Sequence, residues 1–288
     1  MRSDRFWHLG LIGYPLGHSY SPILHQSALD DVGLKGTYSL FSLSDPSHIS
    51  GLIQRLRDGE LDGINVTIPY KQEVIHHLDG LTVAAQTINA VNTVYHQGDK
   101  LMGDNTDASG FYLDLLRCLK GSKFAEKNAL VLGSGGSAHA IVFALLSNGW
   151  SVTVTARRMA QSQELAQTFG SLPLFTIDWK TLNQSELLKQ FSLLVNTTPV
   201  GMYPEIDRNP ISEGTELPEG MVVYDLIYNP QETSLMKLAR KSRCQAFNGS
   251  GMLINQAALA FEVWTGLKPS AEKMELALQR KLGLEGER

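Results

Sequence analysis

Cysteine is almost missing from this chain, with two residues, Cys118 and Cys244, among 288. Neither belongs to a CxxC pair, and the 8 histidines do not gather near them, so neither a disulfide framework nor a metal site is expected. Charge of one sign is also lacking. Lys and Arg number 25 against 29 Asp and Glu, a formal net charge of −4 with no basic run, which argues against a nucleic-acid or other polyanion partner. Long hydrophobic runs are absent, so no membrane span is expected, and Met1–His8 lacks the apolar core of a signal peptide. Internal repeats and low-complexity tracts are absent as well. The remaining composition, 43% hydrophobic and 19% charged, is that of a cytoplasmic enzyme with small-molecule partners, acting as a monomer or homodimer, and the length suits two domains with separate cores.

Apolar periodicity supplies the organisation. Over the first hundred residues, strand-like runs at 8–13, 37–43 and 63–68 alternate with amphipathic segments at 22–32 and 46–57, which predicts an α/β layer. Asp45 before Pro46 reads as a helix N-cap with proline in the first turn, and Gln97-Gly98-Asp99 as a hairpin turn between 90–96 and 100–103. A second series of short apolar runs follows at 128–132, 151–155, 174–177, 193–196, 221–225 and 245–248. Helical patterns separate most of them, as right-handed βαβ crossovers in a doubly wound parallel sheet require. Two periodic helices, 252–264 and 271–282, close the chain, and the Pro-, Glu- and Gly-containing stretch 203–220 reads as a surface loop. The expected fold class is α/β: a Rossmann-type domain over 108–250, and a smaller substrate-binding α/β domain over 1–107 completed by 251–288, with an interdomain active-site cleft.

Strand 128–132 runs directly into Gly133-Ser134-Gly135-Gly136-Ser137-Ala138 and then an apolar helix. Glycines without Cβ atoms let the backbone approach a pyrophosphate, whose charge the free N–H groups of the helix start attract. Ala138 takes the third glycine's place and is small enough for close helix-to-strand packing. The next strand ends in Ala156-Arg157-Arg158, where an NAD site would carry an acidic residue for the ribose 2′-hydroxyl. Two guanidinium groups suit a 2′-phosphate instead, so NADP(H) is the expected cofactor, Arg157 its stronger partner. A solvated basic strand end is the alternative.

Reduction of a carbonyl needs a proton donor beside the reacting oxygen. Lys71, just after Asn65-Val66-Thr67-Ile68-Pro69-Tyr70, and Asp107, after Gly103-Asp104-Asn105-Thr106, sit at element ends that can deliver side chains to a crevice. Taken singly, Lys71 also fits a solvated helix-start lysine and Asp107 a first-turn acid.

The order of motifs adds to this. Gly13-Tyr14-Pro15-Leu16-Gly17-His18-Ser19-Tyr20-Ser21-Pro22, Asn65 to Lys71, Ala90-Val91-Asn92-Thr93 and Gly103 to Gly110 are followed by the glycine turn, Asn196-Thr197-Thr198-Pro199-Val200-Gly201-Met202, Asp225-Leu226-Ile227-Tyr228-Asn229-Pro230 and Gly249 to Gln256. In that order, over nearly the whole chain, they resemble the shikimate dehydrogenase family. The resemblance implies reversible NADPH-dependent reduction of 3-dehydroshikimate to shikimate, a step towards chorismate and aromatic amino acids. It implies that Ser19 and Ser21, with Tyr228, hold the substrate carboxylate, that Thr67, Asn92 and Gln256 bind ring hydroxyls, and that Lys71 and Asp107 flank the reacting oxygen. On the cofactor side it adds Thr197, Thr198, Gly249 and Met252 to the glycine turn and to Ala156, Arg157 and Arg158.

Two departures from the family pattern stand out. An Asn-Arg-Thr-like run is replaced by Ala156-Arg157-Arg158, which bears on the adenosine contacts, and Asn248 replaces an aspartate, a change expected to affect loop structure more than chemistry. Quinate or mixed quinate/shikimate dehydrogenases are the nearest alternative, and a catalytically silent NADP-binding sensor is the alternative from another class.

Overall fold

A computed structural model describes residues 5–120, 126–170 and 172–283. Residues 284–288 of the expected C-terminal span therefore lie outside the described residues. The chain divides into two compact units, Met1–Gly110 with Leu253–Arg288, and Phe111–Met252. Both divisions fall inside helices, Thr106–Cys118 and Ser250–Thr265, and the two units are similar in length.

The first unit is built on strands β1 (Phe6–Gly13), β2 (Lys35–Ser42), β3 (Gly63–Val66), β4 (Gly80–Leu81), β5 (Thr93–Gln97) and β6 (Lys100–Asp104), in the order β2-β1-β3-β5-β6-β4. The β1/β2, β1/β3 and β4/β6 pairs are parallel, whereas β3/β5 and β5/β6 are antiparallel. Gln97 pairs with Lys100 across a two-residue turn in which Gly98 supplies a positive φ of 61°. One apolar layer, with Ile12, Ile53, Leu56, Ile64 and Val94, packs helix Ile49–Arg57 on the sheet. Another joins Trp7, Leu9, Leu24 and Leu29 to Phe261, Trp264, Met274 and Leu278. The C-terminal helices belong to this unit because their apolar faces complete that core. Trp264 fixes the arrangement by donating from Nε1 to Val94 O at 2.9 Å, over a position where only glycine, Gly63, leaves room for its ring.

The second unit carries β7 (Asn128–Leu132), β8 (Ser151–Thr155), β9 (Leu174–Thr176), β10 (Leu193–Asn196), β11 (Val222–Asp225) and β12 (Gln245–Asn248). All pairs are parallel, in the order β12-β11-β10-β7-β8-β9. Numbered from its own first strand this is the 3-2-1-4-5-6 order of a doubly wound dinucleotide fold, whose switch point lies between β7 and β10. Four buried residues in each of β10 and β11 account for the continuous apolar runs.

Several local expectations change. Asp45 does cap, accepting from Ser47 N at 2.9 Å, but the turn it opens, Pro46–His48, is a 3₁₀ helix that passes into the α-helix. The strand expected from residue 90 begins only at Thr93, because Ala90 N and Val91 N donate outside the sheet, to Ala85 O and Lys71 O. The stretch 203–220 forms no helix or strand, yet it is not wholly a surface loop: Ile211 and Leu217, 1% and 4% exposed, enter the second unit's core. Cys118 and Cys244 are free and buried, and burial pushes their thiols up to about 12 and about 11. Among the described residues no helix is long and apolar enough to cross a membrane, and no group of three His, Cys, Asp or Glu side chains converges on a metal position.

Candidate active site

In the first unit, β1 and β3 end in turns that run side by side, with Tyr14 N donating to Ile68 O at 2.9 Å. Gly13 makes this possible, since a Cβ there would collide with Thr67 Cγ2. The β1 turn leads to Ser19, half-buried, and Ser21, 8% exposed, where helix Ser21–Asp31 starts. Ser21 N donates to Ser19 Oγ at 3.2 Å, so the two hydroxyls share one loop. The β3 turn carries Thr67 and then Lys71, whose carbonyl accepts from Val91 N at 2.7 Å. That bond lays Lys71 beside the segment bearing Asn92.

Lys71 is not a solvated helix-start lysine. Its Nζ lies 2.5 Å from Asp107 Oδ2, with side-chain exposures of 12% and 9%. Asp107 occupies the first turn of helix Thr106–Cys118, where the helix dipole favours negative charge, and Asn105 Oδ1 caps that helix by accepting from Ala108 N at 3.3 Å. The other oxygen, Oδ1, accepts from Asn92 Nδ2 at 2.9 Å. The amide orientation of Asn92 is settled by a main-chain donor: Thr106 N gives to Oδ1 at 2.8 Å, which leaves Nδ2 facing the carboxylate. Gln256 Oε1 stands 3.5 Å from the same Nδ2, its own amide held by Leu253 O at 2.9 Å. The structure thus brings Lys71, Asn92, Asp107 and Gln256 into one cluster in the first unit. Three further members, Asn65, Thr93 and Thr106, were not singled out from the sequence; their signal was polar side chains on segments buried throughout, which must find partners.

In the second unit the glycine turn joins β7 to helix Gly136–Ser147. Gly133 has φ 111°, and a Cβ on it would meet Thr197 Oγ1. Gly135 is the N-cap, contributes no side-chain cap and has open space around its Cβ position, and no acid lies in the first turn. Gly136, Ser137 and Ala138 therefore begin a helix whose first N–H groups are left for an anion, with Ala138 fully buried against the sheet. These are the features a pyrophosphate needs. Ala156 is buried at the end of β8, and Arg157 and Arg158 after it are exposed and make no ion pair among the described residues, which fits a 2′-phosphate.

Thr197 and Thr198 are occupied inside the protein, donating to Leu132 O at 2.7 Å and to Asn196 Oδ1 at 2.7 Å, so their hydroxyl protons are already used. Gly249 passes so close to Leu226 O that any side chain would clash, and Met252 is 7% exposed. Tyr228 lies half-buried in this unit, just beyond β11. Asn248 explains itself: its Oδ1 accepts from Ser250 N and Oγ at 3.1 and 2.6 Å, while its amide donates to Gln231 O at 3.0 Å, a bond that an aspartate would lack. At the end of β11, burial pushes the Asp225 carboxyl up to about 6 against hydrogen bonds from Thr233, Ile227 N and Asn196.

The chain matches two family models, the shikimate dehydrogenase substrate binding domain over residues 11–94 and the shikimate 5′-dehydrogenase C-terminal domain over residues 249–279. A shikimate dehydrogenase (NADP+) of Shouchella clausii is 40% identical over 274 residues, covering 95% of this chain and 98% of that relative. The structure of shikimate 5-dehydrogenase from Thermus thermophilus in complex with NADP(H) and shikimate superposes with a TM-score of 0.84 at 35% identity, covering 95% of this chain and 99% of the other. A quinate dehydrogenase from Corynebacterium glutamicum in complex with NAD gives a TM-score of 0.87 at 29% identity, covering 96% and 100%.

Proposed function

The chain belongs to the shikimate dehydrogenase family, and we propose that its Lys71–Asp107 pair serves the reversible NADP-dependent interconversion of 3-dehydroshikimate and shikimate, a step towards aromatic amino acids. The observation that carries the reading is this close pair, held by Asn92 within the unit that matches the substrate-binding model.

NADPH, when bound, supplies the hydride, and its nicotinamide chemistry is its own. The residues for it are the turn Gly133–Ala138 for the pyrophosphate, Ala156, Arg157 and Arg158 for the adenosine phosphate end, and Gly249 and Met252, with Thr197 and Thr198 shaping the turn by packing on it. On the substrate, Ser19 and Ser21 offer hydroxyls to the carboxylate, to which the family resemblance also assigns Tyr228, and Thr67, Asn92 and Gln256 take the ring hydroxyls. Lys71 Nζ holds the proton that the substrate oxygen needs during reduction and accepts it back in the oxidative direction. Asp107 orients that ammonium through Oδ2 and keeps Oδ1 for its bond from Asn92. We place the enzyme in the cytoplasm, as a monomer or homodimer.

The likeness to a quinate dehydrogenase favours one second reading, use of quinate. Initial rates of cofactor reduction with shikimate or quinate, crossed with NADP or NAD, separate the two. Fast NADP-dependent shikimate oxidation is expected. Preference for quinate with NAD would replace the assignment, and cofactor binding without turnover on either acid would mark a silent sensor.

A further inference from the structure

Beneath the Lys71–Asp107 pair runs a line of hydrogen bonds with a single direction. Tyr38 Oη donates to Asn65 Oδ1 at 2.8 Å, Asn65 Nδ2 to Thr93 Oγ1 at 3.2 Å, Thr93 Oγ1 to Asn92 Oδ1 at 2.9 Å, and Asn92 Nδ2 to Asp107 Oδ1 at 2.9 Å.

The direction is imposed by main-chain groups that have only one role. Asn65 Nδ2 also donates to Asn92 O at 3.0 Å, and a carbonyl can only accept, so Asn65 Oδ1 must face Tyr38 and receive its proton. Thr106 N can only donate, so Asn92 Oδ1 must face it and Nδ2 must face Asp107. The Thr93 hydroxyl lies between two amides already turned, receiving from one and giving to the other. Every donor therefore points towards the carboxylate, an alignment in which each bond polarises the next in a low-dielectric interior.

These residues are enclosed to much the same degree as the site above them, where Asn92 is 2% and Asp107 6% exposed, and Tyr38 at the start of the line is half-buried. Thr93 has no exposed surface and Asn65 is 5% exposed, both on the register pair Asn65–Thr93 where β3 meets β5. Tyr38 is wedged on β2 with its ring stacked on that of His25, centroids 4.3 Å apart and planes 4° from parallel.

We propose that Tyr38, Asn65 and Thr93 are positioning residues for the reaction, holding the Asn92 amide so that Asp107 keeps one oxygen committed and presents the other to Lys71. No proton travels along the line; it fixes geometry and charge. The proposal rests on the role given above to Lys71 and Asp107.

The test compares Tyr38→Phe, which removes one hydroxyl and keeps the stacked ring, with Thr93→Val, which cuts the line one step from Asn92, and with the double variant. Each single variant is expected to lower kcat for shikimate oxidation about 3- to 10-fold with KM for shikimate within about twofold of wild type. Because both cut one line, the double variant is expected to be about as slow as the slower single variant rather than to show the product of the two losses. Thermal melts of all three show whether folding is kept, and the KM-against-kcat split and the non-additivity are readouts that loss of stability alone does not produce. Unchanged kcat in both variants, or losses that multiply, would overturn the proposal while wild-type turnover stands. Wild-type protein that turns over neither shikimate nor quinate would overturn the underlying reading and this one with it.

Discussion

Lys71 Nζ and Asp107 Oδ2 meet at 2.5 Å although one follows the turn after β3 and the other opens a helix 36 residues later. Each is nearly enclosed, so each charge depends on the other for the stabilisation that water would give.

Replacing Lys71 with methionine keeps the stem and removes the proton carrier. General acid–base groups contribute about 10² to 10⁴-fold, so kcat for shikimate oxidation should fall by about that factor while NADP affinity, set in the other unit, is kept. Steady-state rates with a separate NADP titration check this. A variant within tenfold of wild type would remove Lys71 from proton transfer. Asp107→Asn is expected to lower kcat by about 10-fold or more, because the new amide faces Lys71 or Asn92 with a donor where both need an acceptor.

Arg157 and Arg158 test the cofactor assignment. A hydrogen bond to a charged group contributes about 1.5 to 3 kcal/mol, so Arg157→Ala should weaken NADP binding by about 10- to 100-fold and leave NAD binding within about twofold. Arg158→Ala should have the smaller effect. Fluorescence titration of both cofactors decides this, and equal losses for NADP and NAD would show that neither guanidinium reads the 2′-phosphate.

The glycine turn gives a prediction that combines stability and binding. Gly133 holds φ at 111°, and an added methyl group would meet Thr197 Oγ1, which is itself bonded to Leu132 O. Gly133→Ala should cost about 1 to 3 kcal/mol of stability and weaken both NADP and NAD, because the pyrophosphate turn serves either. Urea unfolding and the same titrations check it. Unchanged stability and binding would mean that the turn relaxes without harm.

The second unit was legible in detail because most of its strands are apolar or β-branched runs between turn formers. Asn128–Leu132, Ser151–Thr155, Leu193–Asn196 and Gln245–Asn248 fall where the pattern places them. The first unit was harder to read. β4 has two residues and helix Val83–Ile88 six, too short for any periodicity to register. Lys71, Asn92, Asp107 and Gln256 stood in motifs, and the structure joins them in one cluster. Asn65 and Thr93 stood in the same motifs without being singled out and Tyr38 stood in none, because what unites them is the pairing of β3 with β5 and a phenol reaching in from β2, and register between strands far apart in sequence leaves no local mark. Ile211 and Leu217 were missed for a related reason: apolar side chains in an irregular stretch carry no period, yet burial claims them.

His25 lies under the same cluster, fully buried, stacked on Tyr38 and tilted against Trp264. Neither ring nitrogen finds a partner in hydrogen-bond geometry, and burial lowers its pKa from 6.5 to about 3, against a weaker opposing pull from Asn65. A base with a depressed folded pKa contributes stability that is present above pH 6.5 and drains away as pH falls towards 3, since only the unfolded chain takes up the proton in that window. Asp225 acts in the opposite sense: with its carboxyl raised from 3.8 to about 6, its contribution is present below pH 3.8 and lost as pH rises through 6. The wild-type curve mixes the two, but the difference between wild type and His25→Phe, which keeps an aromatic ring without a titrating group, isolates His25. Between about pH 7.5 and about pH 5 wild type should lose about 2 kcal/mol more than the variant, whatever their relative stability at neutral pH. Urea unfolding followed by tryptophan fluorescence at the two pH values measures it, and parallel curves would show that His25 is protonated, or hydrated, inside the fold.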